Sequence, residues 1–290
     1  MSAAATDPLL PPDLERVIFE LAAYLTPLSM PNLMLVAWRV KEWIEPLLYR
    51  VAVAGTENGW VDQSTRHYPQ ASISRLLSTS VSPIHHFVRR LCLVKPTSAD
   101  TFSLLSKCPN IENIWASSVA LELKQLLKIQ PGRLKHLHCS LRILFHPDLP
   151  DFTHTVFAGI THLQIFDRLG RFDRAVWTGL ASLPRLTHLA FLNDEFITII
   201  PDLLRACPAL RVLAVVAMSK HVERVAPEVL REDVRFVWIM CAEYMKDWHT
   251  GASTGRDFWT RAEEFISMRR TGEVDPLQYR MEDDESVRLP

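Results

Sequence analysis

Three histidines hold the same place in successive copies of one short phrase: Leu134-Lys135-His136-Leu137, Ile160-Thr161-His162-Leu163 and Leu186-Thr187-His188-Leu189. A fourth, His138, follows two residues after the first. If these segments are neighbouring strands about 4.8 Å apart, side chains alternate between faces and the four imidazoles share one of them. His136 and His138 with His162 on the next strand would then offer three ring nitrogens and an open position, the donor set of a catalytic metal site. Two features argue against it. A straight ladder on a flat sheet spreads its nitrogens instead of converging them, and no Asp or Glu lies beside these histidines within their strands to orient the rings. The pattern favours a polar, ligand-facing surface with no metal and no cofactor.

Gly251-Ala252-Ser253-Thr254-Gly255 matches the GxSxG spacing of a nucleophile elbow, where a strained strand-to-helix turn exposes a serine. The context fails the motif: Asp247-Trp248-His249-Thr250 is no apolar strand, and no histidine follows downstream. A flexible turn is the expected reading. Phosphate-cradling glycine loops and HExxH, zinc-finger or EF-hand spacings are absent from the sequence, so no enzyme is expected.

The histidine phrases belong to a longer series. Apolar-x-x-apolar segments end at Leu91, Ile114, Leu137, Leu163, Leu189, Leu213 and Val237, spaced 23, 23, 26, 26, 24 and 24 residues apart. That is the period of a solenoid. Helical stretches such as Phe102–Leu105 and Pro201–Leu204 lie between them and lead into Cys108-Pro109 and Cys207-Pro208, where proline ends a helix and extends the residue before it. The two cysteines share a repeat position and read as small apolar filler. Val51 fits the phrase as a first strand, followed by a long gap with a polar loop from Gly55 to Arg66 and a helical stretch near Ile73 to Leu77. Asn193 is the best candidate for the asparagine that usually follows such a strand.

With 290 residues, 48% hydrophobic and 22% charged, the chain can bury a sizeable core, and it carries no apolar run of membrane-spanning length. The N-terminus lacks the basic start and apolar centre of a secretory signal. Five cysteines without a CxxC pair suit a reducing compartment, so a cytoplasmic or nuclear location is expected. A net charge of −1 carries no polybasic footprint for nucleic acid or anionic membrane.

Leu10-Pro11-Pro12-Asp13-Leu14-Glu15-Arg16-Val17-Ile18-Phe19 opens a helix with prolines and acids at its first turn. Leu14, Ile18, Leu21 and Leu25 make one apolar stripe, and Pro27 ends the helix. A second helix is expected after Ser29 or Pro31, running until Pro46. LPPDLERVIF resembles the opening of an F-box, and VAWRVKEWIEPLLYR resembles its close, with Ala37, Trp38 and Val40 standing where Cys, Arg and an aromatic are usual. The resemblance covers roughly 10–50 and extends to the whole layout, because F-box segments are often followed by leucine-rich repeats. It implies a Skp-type adaptor of a cullin–RING ubiquitin ligase as partner, with Leu10, Pro11, Leu14, Ile18 and Val36 as contacts.

The expected fold is α/β: a disordered start (1–8), an F-box-like helical module (9–50), a leucine-rich-repeat-like solenoid with parallel strands on the concave face and helices on the convex face (51–240), a C-terminal helical cap (241–275) and a solvated tail (276–290). The resemblance implies a non-catalytic substrate-recognition subunit of an SCF-type ubiquitin ligase. Its target protein would meet the concave residues Arg90, Asn113, Trp115, His136, His138, His162, Gln164 and His188. The same face would continue through Phe166, Val212, Ala214, Phe236 and Trp238, with Trp115 exposed and Trp238 covered by the cap. The altered close of the motif supports the alternative of a stand-alone interaction scaffold.

Overall fold

The computed structural model describes residues 10–55, 71–72, 83–94, 96–116, 121–217 and 226–281. The expected disordered start, the loop from 56 to 66, the helix near 73–77 and the acidic end lie outside them.

Ten strands form one sheet in which every pairing is parallel: β1 (Val51–Gly55), β2 (Ala71–Ser72), β3 (Arg90–Val94), β4 (Asn113–Ala116), β5 (His136–Cys139), β6 (His162–Ile165), β7 (His188–Phe191), β8 (Val212–Ala217), β9 (Phe236–Met240) and β10 (Arg280–Met281). From β4 to β10 each strand lies beside its predecessor; β3 lies beside β1, because β2 sits outside β1 at the sheet's edge. Val51 therefore does begin a strand, and β1 pairs with β3 directly across the long sequence gap.

The repeat phrase sets the register. Leu91, Ile114, Leu137, Leu163, Leu189 and Leu213 form one cross-strand row, buried behind the sheet. At β9 the row slips by one: Leu213 pairs with Phe236, not Val237. A one-residue slip exchanges faces. Phe236 and Trp238, expected on the concave side, pack in the back core, where Tyr279 stacks on Phe236 at 5.9 Å, and Val237 and Ile239 take the front. The continuous apolar run Phe236-Val237-Trp238-Ile239 has no alternation to fix its register from sequence.

Short helices return the strands from β3 to β8 across the back, at Ser98–Lys107, Leu123–Leu126, Leu141–Leu144, Arg174–Thr178, Ile200–Ala206 and Glu228–Glu232. Thr97 caps the first by accepting from the Asp100 amide at 3.0 Å. Cys108 and Cys207 end their helices as C-caps, donating their amides to Leu104 O at 2.9 Å and Leu203 O at 2.8 Å. Both thiols are buried, and burial pushes the Cys108 thiol up to about 12. The asparagine function is shared. Asn193 Nδ2 donates to the Asp167 carbonyl at 3.1 Å, while the Asp167 carboxylate, one repeat earlier, accepts from Ser140 Oγ at 2.7 Å and the Leu141 amide at 2.5 Å.

The N-terminal helices Pro12–Leu25, Met30–Leu33 and Trp38–Leu48 bury a small core of Ala23, Met30, Val40 and Ile44. The expected second helix is thus two, with Val36 in the turn between them, and Pro46 sits inside the last without ending it. Glu15 and Arg39 tie the first helix to the third through two bonds of 2.7 and 2.8 Å.

The C-terminal helices Tyr244–Thr254 and Phe258–Thr271 lie on the front of the sheet, not at its end. The open edge of β9 is covered instead by β10, from the segment expected to be a solvated tail. Arg269 makes that arrangement specific: its buried guanidinium donates to the carbonyls of Arg231, Val234, Phe236 and Pro276 at 2.6 to 3.1 Å, joining helix, strand and tail. Arg269→Met would leave several buried acceptors unpaired, so urea unfolding should show a loss of about 2–4 kcal/mol. An unchanged midpoint would show that the staple contributes nothing.

Candidate functional site

The front of the sheet carries two rows of side chains set by the parallel register. One runs Arg90, Asn113, His136, His162, His188, Val212; the other runs Cys92, Trp115, His138, Gln164, Ala190, Ala214, Val237. All eight residues expected to meet a target are here, as the spacing predicts. The expected access is not. The chain's own C-terminal helices cover them.

The contacts are specific. Arg90 Nη1 donates to the carbonyls of Gly251, at 3.3 Å, and Ala252, at the end of the Tyr244–Thr254 helix. Trp248 Nε1 donates to Asn113 Oδ1 at 3.0 Å. Trp115, expected to be exposed, is 2% exposed, packed between Phe166 at 5.8 Å and Tyr244 at 5.9 Å. Trp238 is covered as expected, but on the back, with Arg280 over its ring at 5.5 Å. His138 and Gln164 bond each other at 2.7 Å beneath this layer.

His136, His162 and His188 stack like coins, with centroids 3.9 Å apart and planes within 9°. Trp259 stands edge-on to the stack, 5.4 Å from His162 and 5.7 Å from His188. Parallel rings keep their nitrogens in rows, so the three do not converge on one point. Among the described residues no group of three or more His, Cys, Asp and Glu side chains is placed to hold a metal ion.

The Glu263 carboxylate, which can only accept, decides the tautomer of His188. The carbonyls of Lys135 and Thr161 each already accept two backbone amides, at 2.9 and 3.0 Å. The Thr161 and Thr187 hydroxyls lie between those carbonyls, 3.2 Å away in each case, and the neighbouring His162 and His188 Nδ1, both at 2.8 Å. In neutral His188 the hydrogen sits on Nε2, which donates it to Glu263 Oε1 at 3.1 Å. Lys135 stands where a threonine would be, so His136 Nδ1 lacks this partner. Burial foremost, with the neighbouring cations, holds the imidazoles neutral: His136 is pushed down to about 3, His162 further, and His138, by burial, to about 4. His188 is lowered by burial and partly restored by Glu263.

The GxSxG stretch is the last turn of the Tyr244–Thr254 helix, and Gly255 caps it at φ +81°. Its glycines answer to packing. A Cβ on Gly251 would stand 2.3 Å from Asp257 Cβ, and only glycine readily takes the left-handed conformation at 255. Asp257 in turn caps the next helix, accepting from the Thr260 amide at 3.1 Å.

Between sheet and helices remains a cleft of about 190 Å³, lined by Arg90, Lys135, His136, His162, Asp257 and Trp259 among others. Lys135, Asp257, Trp259, Thr260 and Glu263 were not candidates from sequence. The sequence carried one signal, for Trp259 and Glu263 only: they stand one turn apart on a single helix face.

The five N-terminal candidates are placed otherwise. Leu10, Leu14, Ile18 and Val36 are 43, 54, 52 and 62% exposed, and Pro11, the N-cap of the first helix, is also exposed. No family model matches this chain, and no curated protein matches it either.

Two outcomes follow. A histidine held neutral in the fold but ordinary when unfolded favours the unfolded state wherever the latter binds the extra proton, so stability is complete above about pH 6.5 and falls as pH drops below it. At pH 5 a single fully buried imidazole such as His138 should cost about 2 kcal/mol; a melting temperature flat from pH 7 to pH 5 would contradict the neutral stack. Gly251→Ala should cost about 1–3 kcal/mol by overpacking against Asp257, whereas Ser253→Ala should stay within about 0.5 kcal/mol. Equal melting curves for the two variants would remove the packing explanation.

Proposed function

We propose that the chain is a non-catalytic recognition subunit of the F-box kind, acting in the cytoplasm or nucleus, whose N-terminal helices dock a Skp-type adaptor of a ubiquitin ligase. Its sheet would be a leucine-rich-repeat-like solenoid that carries the target protein. The observation behind the adaptor half is an uncovered apolar face. The helices Pro12–Leu25 to Trp38–Leu48 bury their own small core, yet Leu14, Val17, Ile18, Leu21, Leu25, Leu35 and Val36 all remain more than half exposed. A face of that extent is unusual on a monomer and marks a protein contact. The positions that resemble the F-box opening, Leu10, Pro11, Leu14 and Ile18, lie on it or at its margin, as does Val36.

The target half is changed by the covered front face. Arg90, Asn113, Trp115 and the histidines are occupied by the chain's own helices, so a target would meet the outer surface of that layer. Among the described residues no helix is long and apolar enough to cross a membrane.

Co-purification of the full chain with its host's Skp-type adaptor tests the proposal, beside a Leu14→Asp, Ile18→Asp variant. Both side chains face solvent, so the variant should fold with stability within about 0.5 kcal/mol per substitution and lose the complex. A folded wild-type chain that leaves the adaptor unbound would replace this reading with the stand-alone scaffold.

A further inference from the structure

The cleft under the C-terminal helices has an excess of hydrogen-bond donors that its own acceptors do not use. Of its three carboxylates, Glu112 is held by Arg89 at 2.9 Å and Arg133 at 3.8 Å, and Glu263 by Arg211 at 3.0 Å and His188 at 3.1 Å. Asp257 is spent on the Thr260 amide and hydroxyl at 3.1 and 3.3 Å.

The donors are less committed. Trp259 is 2% exposed and its indole N–H has no hydrogen-bond partner among the described residues. A buried indole N–H without a partner is a costly omission, and such a group marks a place where something else belongs. Lys135 gives one of its three protons to Gly132 O at 2.6 Å. The Arg90 guanidinium uses Nη1 on the helix-end carbonyls and, though burial lowers it to about 10, stays charged at neutral pH.

The geometry points to this cleft as a binding site for a small oxyanion, a phosphate or carboxylate group, received by Arg90, Lys135 and the Trp259 indole N–H. Size agrees with a small ligand: about 190 Å³ lies below the range of about 300–1,000 Å³ typical for drug-sized molecules and cofactors. The oxyanion would bridge sheet and helices, since Arg90 and Lys135 belong to the strand side and Trp259 to the helix side. The site is independent of the adaptor-docking face.

The test is nitrogen–proton correlation NMR of the full-length chain at constant ionic strength, reading the Trp259 indole resonance assigned with Trp259→Phe. Separate titrations with inorganic phosphate and with succinate distinguish the two kinds of oxyanion. At least one should move that resonance saturably at millimolar concentration, with chloride ineffective. Lys135→Gln, at a partly exposed position, should weaken binding at least 5-fold. Asp257→Asn, which keeps the helix cap but removes a negative charge beside the site, should tighten it severalfold. Absence of a saturable shift with either anion overturns the proposal, as do equal affinities in wild type, Lys135→Gln and Asp257→Asn.

Discussion

The parallel sheet of this chain carries apolar side chains on both faces, and its strand-to-strand connections supply helices to only one of them. Here the repeat covers the back: the strands from β3 to β8 are returned by short helices, and the leucine row from Leu91 to Leu213 packs beneath them. The front receives nothing from the repeats. Its cover is the C-terminal helix pair, which buries Ala190, Val212, Ala214, Val216, Val237 and Ile239 against Phe258, Trp259, Ala262, Phe265 and Ile266. Arg269 and β10 then hold that cover to the last strands.

The chemistry of the front follows from being covered. Imidazoles that would titrate normally in water are neutral under the helices and stacked ring on ring. Polar groups there bond across the layer, Trp248 to Asn113 and His188 to Glu263. Where the two layers fail to meet, around Lys135 and Trp259, donors are left over. The N-terminal helices stand in the opposite condition: Glu15 and Arg39 bond each other, and the apolar side chains face outward without a cover among the described residues.

Much of the sheet was legible because its signal is local and repeated. The apolar-x-x-apolar phrase placed β1 and β3 to β8, and its period put Arg90, Asn113 and the histidines in one row. Alternation failed where both faces are apolar. In Val212–Ala217 and Phe236–Met240 every position but Met240 is buried, so the pattern carried no phase, and Phe236 and Trp238 were assigned to the wrong side. That same loss of alternation was the available sign that the front is covered at this end.

Sequence by itself determined the repeat, the strand order from β3 to β9, the helix-ending Cys-Pro joints and the apolar opening of the N-terminal helix, since each depends on residues within a few positions or one period of one another. Tertiary structure alone decided that Trp115 and the histidines are buried, that the GxSxG glycines serve a helix end packed on Asp257, and that Arg280 and Met281 close the sheet. These depend on contacts between segments far apart in the chain, as Arg90 with Ala252 and Asn113 with Trp248, and such contacts leave no periodic trace in either partner. Which face of a sheet meets water is set by what else the chain can lay upon it.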